Sequence, residues 1–253
     1  MAIPNVFHFA FGFQSDFGGK PFGLVHYLAI KSACEVNRPA AAYFYCKHKP
    51  AGFWFEQASP YITFVPIEPP AEVFGRTLRH YAHQADVFRL EVLLAHGGVY
   101  MDLDTICRKP FTPLLAHACV LGVQGSAAGA FGLCNGVILA EPASHFITRW
   151  YEMYRTFRSE GRDEFWDEHS VRLPLLLARE LSEHIHVEPY TSFHDPFPRE
   201  QWGRLFECEE AFADAYCHHL WESVAWDLHL ADLTVEKITV GRGSYHVLAR
   251  RFL

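Results

Sequence analysis

Two aspartates separated by one residue, Asp102 and Asp104, directly follow a short apolar and aromatic run at residues 99–101. Such a run is typical of a buried strand. In an extended chain, residues i and i+2 face the same side, so the two carboxylates are expected to point together, with Leu103 pointing into the protein. Neighbouring carboxylates repel each other unless a positive charge lies between them. The pattern therefore predicts a site for a hard divalent cation with oxygen ligands.

The element that must position this pair is the apolar stretch at residues 84–96, which contains no Gly or Pro and predicts a helix. Gly97 and Gly98 follow it, and glycine commonly ends a helix because it adopts the left-handed conformation without strain. Asp86 and Arg89 are three residues apart and share one face of this helix. Charges on an apolar helix need partners or a polar ligand, so both are candidate site residues.

This stretch resembles the DXD sugar-binding region of nucleotide-sugar glycosyltransferases, in particular glycosyltransferase family 32 and the catalytic domain of the large clostridial glucosylating toxins. The matching residues, in chain order, are Asp86, Arg89, Leu93, Gly97-Gly98, Val99-Tyr100 and Asp102-Leu103-Asp104. The whole set in this order is far more specific than a lone Asp-x-Asp. The resemblance implies an α/β fold of the GT-A type, with a mostly parallel central sheet flanked by helices and an irregular C-terminal region on the acceptor side.

The resemblance also implies roles for individual residues. Asp102, Asp104 and Arg89 would be catalytic, and Asp102, Asp104 and His219 would hold Mn²⁺ or Mg²⁺. The residues implied to contact the donor are Asp86, Arg89, Phe9, Phe11, Tyr100, Asn135, Trp221 and Ser223. Asn135 is also a common turn residue before glycine, which is the structural alternative for that position.

A second part of the resemblance lies near the C-terminus. The family often ends its catalytic domain with a strand that carries His, then Trp, then Ser and Trp, and residues 215–226 carry His219, Trp221, Ser223 and Trp226. His218 is the rival ligand to His219. Adjacent residues on a strand face opposite ways, so only one of the two histidines can reach the aspartates.

The first predicted strand covers residues 3–11 and is similar to the family's opening strand, with His8 and Phe11 at matching places. Phe9 or Phe11 at its end is a candidate to stack on the donor base. The alternative is that these rings belong to the core, because a strand alternates faces and one set of side chains must be buried.

The remaining elements predict alternating strands and helices, which is typical of a parallel sheet with covering helices. Strands are predicted at residues 40–45, 62–67, 118–123 and 135–139, and helices at 23–36, 53–58, 144–159 and 170–183. Residues 125–132 are predicted to be a flexible loop, and 186–206 an irregular acceptor-side region. The basic tail at 237–253 is predicted to lie over the diphosphate. Ligands in such folds bind at the carboxyl ends of the strands, where Asp102 and Asp104 are expected.

The composition predicts one globular domain over residues 1–253, with a nucleotide-sugar-binding part at 1–140 and a helical, acceptor-side part at 141–253. Half of the 253 residues are hydrophobic, and 29 acidic against 22 basic residues give a net charge of −7. A negative chain argues against binding to nucleic acid or to anionic membranes by charge.

Seven scattered cysteines without a Cys-x-x-Cys pair predict free thiols in a reducing compartment. No apolar stretch is long enough to span a membrane, and no charged segment of a signal peptide precedes Lys20. We therefore expect a cytoplasmic protein that a membrane-bound acceptor could bring to the membrane surface.

These features predict metal-dependent transfer of a sugar from a nucleoside diphosphate sugar to a hydroxyl acceptor. UDP-sugars are favoured over GDP-sugars, and a glycan, a lipid-linked sugar or a protein is the expected acceptor. The resemblance implies retention at the anomeric carbon and a role in polysaccharide, glycolipid or other glycan synthesis. Two alternatives remain. One is a phosphohydrolase of the haloacid dehalogenase type, which also ends a strand with Asp-x-Asp; the other is a non-catalytic nucleotide or glycan binder.

Overall fold

A seven-stranded sheet organises the computed structural model, which describes residues 3–197 and 201–253. The strands of the described chain are β1 (Val6–Ala10), β2 (Ala41–Cys46), β3 (Thr63–Pro66), β4 (Glu72–Val73), β5 (Arg76–Thr77), β6 (Gly98–Met101), β7 (Thr105–Cys107), β8 (Cys119–Ser126), β9 (Gly129–Ala140), β10 (His186–Glu188) and β11 (Cys217–His219).

The main sheet has the strand order β10-β8-β9-β6-β1-β2-β3. Its pairs are parallel except where β9 runs antiparallel to both β6 and β8. Strand β11 pairs antiparallel with β7 outside this sheet, and β4 pairs with β5 in a small hairpin. The prediction of an α/β fold with a mostly parallel central sheet is confirmed.

Helices cover both faces of the sheet. They are α1 (Leu24–Asn37), α2 (Phe53–Ala58), α3 (Tyr81–His96), α4 (His145–Met153), α5 (Leu173–Glu180), α6 (Tyr190–Phe193), α7 (Gly203–Phe206), α8 (Glu222–Ala225), α9 (Val235–Val240) and α10 (Ser244–Ala249). None of the helices in the described ranges is both long and apolar enough to cross a membrane.

The alternation of side chains along the strands divides the core into two layers. On β6, Val99 and Met101 belong to the layer under α1 and the C-terminal helices, whereas Tyr100 belongs to the layer under α3, α4 and α5. On β1, Phe7 and Phe9 both face the first layer and are fully buried. The sheet is therefore buried on both faces, as parallel sheets usually are.

The connection from α3 to β6 places the Asp-x-Asp sequence at the carboxyl end of β6, a central strand of the sheet. Gly97 and Gly98 have φ angles of 62° and 106°, which confirms that this pair ends the helix in a conformation that favours glycine. A Cβ on Gly98 would lie 2.5 Å from the carbonyl oxygen of Val6 on β1. The glycines thus allow α3 to turn directly into a strand that lies beside β1.

Several predicted boundaries are wrong. Helix α3 begins at Tyr81, three residues before the expected start, because the side chain of His80 accepts a capping hydrogen bond from the Ala82 backbone. The predicted loop at residues 125–132 is a hairpin of β8 and β9, in which paired strands absorb the glycines. The predicted helix at 144–159 ends at Met153 and continues as a 3₁₀ turn.

The C-terminal part also departs from its predictions. The helix predicted at 170–183 begins as a π-helical turn at Glu168–Arg172 and continues as α5. The region expected to be irregular, 186–206, contributes β10 to the edge of the main sheet, and residues 198–200 of it lie outside the described residues. The basic tail at 237–253 folds as the end of α9, as α10 and as a 3₁₀ turn at Arg250–Phe252, and its Ile238, Tyr245 and Phe252 are buried in the core.

Candidate active site

Asp102, Asp104 and His219 meet at the end of β6. One ligand atom from each lies within 4.8 Å of the others. The Nε2 atom of His219 is 3.2 Å from Asp104 Oδ1 and 3.9 Å from Asp102 Oδ2. Both aspartates line the same cavity, as predicted. They are brought together by a turn at residues 103–104, whereas the prediction had assumed a continuous strand. Leu103 packs into the core.

Pairing of β11 with β7 brings His219 to this place. His219 lies opposite Thr105, the residue after Asp104, and the Leu220 backbone donates to the Asp104 carbonyl at 2.7 Å. His218 faces away, and its Nδ1 lies 2.7 Å from the Asp195 carbonyl oxygen. The structure therefore brings His219, and not its rival, to the carboxylates.

Arg89 holds the carboxylates from the side of α3. Its Nη1 donates to the Asn135 carbonyl at 2.6 Å and to Asp102 Oδ2 at 3.3 Å, and its guanidinium lies 4.6 Å from the ring centre of Tyr100. Asp86 accepts a hydrogen bond from Asn135 Nδ2 at 2.7 Å. The predicted helix pair is thus buried and fully engaged with the end of the sheet.

Burial and neighbouring charges set the protonation of this group. Burial raises the pKa of Asp102, and repulsion from Asp104 adds to that, so its pKa is raised although Arg89 opposes the change. Burial alone would also raise the pKa of Asp104, but attraction and hydrogen bonding from His219 outweigh it and hold the pKa low. The pKa of His219 is raised well above its usual value because Asp104 outweighs the opposing effect of burial. The metal-free site is therefore an ion pair between Asp104 and a protonated His219.

A cavity of about 460 Å³ opens over this group, within the size range of ligand sites. The predicted site residues that line it are Phe11, Asp86, Arg89, Tyr100, Asp102, Asp104, Asn135, His219, Trp221 and Ser223. Phe9 is the exception. Its side chain faces the core because Phe9 alternates with His8 along β1, so the expectation that it stacks on a base is wrong. Phe11 remains, with its ring stacked on Phe17 at 5.5 Å.

The end of β11 leaves one hydrogen-bond donor without a partner. Trp221 has a φ of 55°, its ring lies 4.5 Å from that of His219, and its buried Nε1 has no partner among the described residues. The backbone of the next residue, Glu222, donates to Asp104 Oδ2 at 2.6 Å. Close packing extends to Gly136, where a Cβ would lie 3.1 Å from Asp102 Oδ2.

Two further groups of cavity residues were missed by the sequence reasoning. Glu222 accepts from His26 Nε2 at 2.8 Å and lies 3.5 Å from the Lys20 ammonium. The second group consists of Tyr81, Arg162 and Trp166, which also line the cavity. These residues are far apart in the chain and carry no local motif, although the position of Glu222 directly after the predicted Trp221 is a signal for it.

The expected acceptor region does not line this cavity in its described residues. Residues 186–197 and 201–206 are absent from the lining, whereas residues 162–171 contribute to it. The basic tail contributes nothing either, since no residue from 227 to 253 lines the cavity. Arg250 instead donates to the carbonyl oxygens of Ile238, Thr239 and Gly241 at the end of α9.

The chemistry of the donor set fits a divalent metal. Two carboxylates and one imidazole converge, and Asp102 retains 26% side-chain exposure toward the cavity, which leaves room for a ligand. Carboxylates suit Mg²⁺ and Mn²⁺, and an imidazole ligand favours Mn²⁺ of the two.

Comparison with known proteins agrees with this geometry. Residues 26–121 match the family described as a glycosyltransferase sugar-binding region containing a DXD motif. The chain is 33% identical over 266 residues to Glucan organizing enzyme 1 of Cryptococcus neoformans var. grubii, with 100% of this chain and 71% of that protein covered.

Two solved structures share the fold. The glycosyltransferase GlyE of Streptococcus pneumoniae superposes with a TM-score of 0.54 at 14% identity, covering 99% of this chain and 60% of that one. The PaToxG glycosyltransferase superposes with a TM-score of 0.52 at 16% identity, covering 72% and 71%. At these identities the likeness concerns the fold.

The fold and the carboxylate site define a glycosyltransferase of the GT-A class. The chain belongs to the family of glycosyltransferases with a DXD-containing sugar-binding region. Membership excludes the alternative of a haloacid dehalogenase phosphohydrolase, and the protein is an enzyme and not a binding module.

Proposed function

We propose that this enzyme transfers a sugar, with retention, from a UDP-sugar to a hydroxyl group of a glycan in a metal-dependent reaction. The observation that carries the proposal is the convergence of Asp102, Asp104 and His219 at the floor of a ligand-sized cavity. Retention rests on the family resemblance alone. A GDP-sugar is the alternative donor.

Asp102, Asp104 and His219 would hold the metal, with Mn²⁺ favoured over Mg²⁺. When bound, the metal supplies positive charge against the donor's diphosphate. Arg89 fixes the orientation of Asp102 through its 3.3 Å hydrogen bond, and the Glu222 backbone fixes that of Asp104. On these contacts we propose a positioning role for Arg89, in place of the direct catalytic role expected from the resemblance.

The donor would lie along the residues that line the cavity beside this site. Asp86 and Asn135 offer acceptor oxygens to sugar hydroxyls. The ring of Tyr100 packs against the Arg89 guanidinium. The Nε1 of Trp221, which has no partner among the described residues, offers a donor to a phosphate oxygen, and Ser223 also lines the cavity. Phe11 is the remaining candidate to contact the base. Buried polar groups that lack partners in the free enzyme favour a polar ligand.

The acceptor would enter along Tyr81, Arg162 and Trp166. Tyr81 stacks on His80 at 4.5 Å, and the Arg162 guanidinium lies 5.3 Å from the centre of the Trp166 ring. Aromatic faces with adjacent donors suit a sugar ring, which has apolar faces and hydroxyl edges. The name of the fungal relative, Glucan organizing enzyme 1, points to glucan as the acceptor.

We also propose that the enzyme acts in a reducing compartment such as the cytoplasm. All seven cysteines are free thiols, and those at 46, 107, 119, 134 and 217 are buried. An oxidising compartment favours disulfides, so this usage supports the earlier expectation.

The test is a melting-temperature and turnover screen with UDP- and GDP-sugars, each with and without Mn²⁺. The matching donor with Mn²⁺ should stabilise the folded enzyme by about 2.7 kcal/mol at a hundredfold excess over its dissociation constant. Asp104→Asn should abolish this gain and lower turnover at least about a hundredfold, since it removes a charge that the metal requires. The exposed Asp227→Asn is the matched control. Full turnover by Asp104→Asn would overturn the metal role.

A further inference from the structure

A second set of metal-ligand side chains lies beside the carboxylate site. Cys134 on β9, His194 after α6 and His219 on β11 each offer one ligand atom, and these atoms lie within 4.8 Å of one another. The three residues are 3%, 0% and 8% exposed. His219 thus belongs to two groups at once, one of oxygen ligands and one of sulfur and nitrogen ligands.

The two nitrogens of His219 face these two groups. Nε2 is 3.2 Å from Asp104 Oδ1, and Nδ1 is 3.8 Å from Cys134 Sγ. A neutral imidazole carries one lone pair for a ligand and one N–H. A metal bound at Nδ1 therefore leaves the proton on Nε2, and His219 can serve only one of the two sites at a time.

His194 supplies an independent indication that this group of side chains binds a ligand. Its ring is completely buried, and neither nitrogen has a hydrogen-bond partner among the described residues. A buried polar atom without a partner costs about 1–3 kcal/mol. The ring stands edge-on to that of His219, with centres 5.7 Å apart. Gly122 provides space for it, since a Cβ there would lie 3.1 Å from His194 Nε2.

The ligand types select the metal. One thiol and two imidazoles suit Zn²⁺ and other thiophilic divalent ions, whereas Mn²⁺ and Mg²⁺ prefer oxygen. Tetrahedral zinc bonded to sulfur and nitrogen places those atoms about 3.6 Å apart. The 3.8 Å between Cys134 Sγ and His219 Nδ1 requires only a small contraction.

We propose that Cys134, His194 and His219 form a Zn²⁺ site whose occupancy inhibits the enzyme by withdrawing His219 from the carboxylates. When the metal binds, the Cys134 thiol and the Nδ1 N–H of the protonated His219 each lose a proton to solvent. His219 binds through Nδ1 and presents an N–H, not a lone pair, to Asp104. The fourth position is open to cavity water, since Cys134 lines the cavity. The inhibitory part rests on the proposed function, whereas the binding part does not.

Metal binding is tested with Co²⁺ as a spectroscopic substitute for Zn²⁺ on metal-depleted protein. The wild type should show thiolate-to-cobalt charge-transfer absorption that saturates at about one equivalent. Cys134→Ser should lose this absorption, and His194→Gln should weaken Co²⁺ binding at least about tenfold. Cys208→Ser, which removes an exposed thiol, and Asp104→Asn should both retain the absorption.

Inhibition is tested by titrating Zn²⁺ into turnover assays at saturating Mn²⁺. His194→Gln and Cys134→Ser should each need at least about tenfold more Zn²⁺ than the wild type for half inhibition. A folded wild type without the cobalt absorption, or with absorption that persists in Cys134→Ser, would overturn the site. Absorption without zinc inhibition would overturn the regulatory role. If the enzyme lacks turnover, the proposed function fails, and the cobalt titration still decides the binding site.

Discussion

His219 carries a proton in the metal-free enzyme that a metal must displace. Burial opposes this charge, but the adjacent Asp104 raises the pKa of His219 well above 6.5. Metals bind the deprotonated imidazole, so protons compete with the metal at every pH below the raised pKa. The ion pair between Asp104 and His219 would thus lower the affinity of the proposed metal site at neutral pH.

We expect Mn²⁺ binding to release about one proton at pH 7, and Mn²⁺ affinity to rise about tenfold per pH unit between pH 6 and 7. Calorimetry in two buffers of different ionisation enthalpy measures the release. His219→Gln should release almost none and bind more weakly. His218→Gln is the control, because burial lowers the pKa of His218 to about 4 and it faces away. Affinity that is flat over this range would contradict the assignment.

Local motifs made part of this site predictable. Asp86 and Arg89 lie on α3, and Asp102 and Asp104 follow β6, so spacing made each pair a candidate and the resemblance to the DXD region joined the two pairs. Cys134 and His194 were not predictable, because each meets His219 only through long-range packing. One of seven cysteines and one of 16 histidines, with no motif around them, do not indicate a site in the sequence.

At the scale of elements, the α3–β6 connection determines where the carboxylates lie. This connection was predictable because consecutive glycines after an apolar helical stretch are typical of a helix C-terminus. The hairpin of β8 and β9 was not, because its three glycines between residues 125 and 132 are also typical of a loop. Residues 125–132 form strands because β8 and β9 pair with each other, and a local sequence pattern does not reveal which segments pair.

Gly98→Ala tests how strictly this connection is required. The φ of 106° strains any side chain, and the new Cβ would lie 2.5 Å from the Val6 carbonyl oxygen on β1. We expect the free energy of unfolding to fall by at least about 2 kcal/mol, from backbone strain and overpacking together. Urea denaturation measures it. Gly203→Ala is the matched control, because its nearest neighbour is a flexible glutamate side chain at 3.5 Å. Equal stability of both variants would contradict this account.

At the scale of the whole molecule, the charge balance supports the proposed requirement for a cation at the site. The chain carries −7 overall, and a nucleoside diphosphate is also negative. Among the described lining residues, the lysines and arginines are Lys20, Arg89 and Arg162. Lys20 lies 3.5 Å from Glu222, and Arg89 is engaged with Asp86 and Asp102. Little free positive charge remains for the diphosphate, which favours a metal-bound donor.

The basic C-terminal residues do not supply positive charge to the cavity. Arg250 is committed to three carbonyl oxygens at the end of α9, whereas Arg251 is exposed. Arg250→Ala should lower the free energy of unfolding by about 1 kcal/mol, because three exposed or partly buried carbonyl oxygens lose a charged donor. Arg251→Ala should change it by less than about 0.5 kcal/mol.

Both variants should keep the parent's KM for the donor, because neither side chain lines the cavity. Steady-state kinetics with urea denaturation on the same preparations separates the two effects. A donor KM raised severalfold in Arg251→Ala would return the tail to the diphosphate site, where its charge had been expected. An unchanged KM with a stability loss only in Arg250→Ala would mean that Arg250 supports the fold and that neither arginine binds the donor.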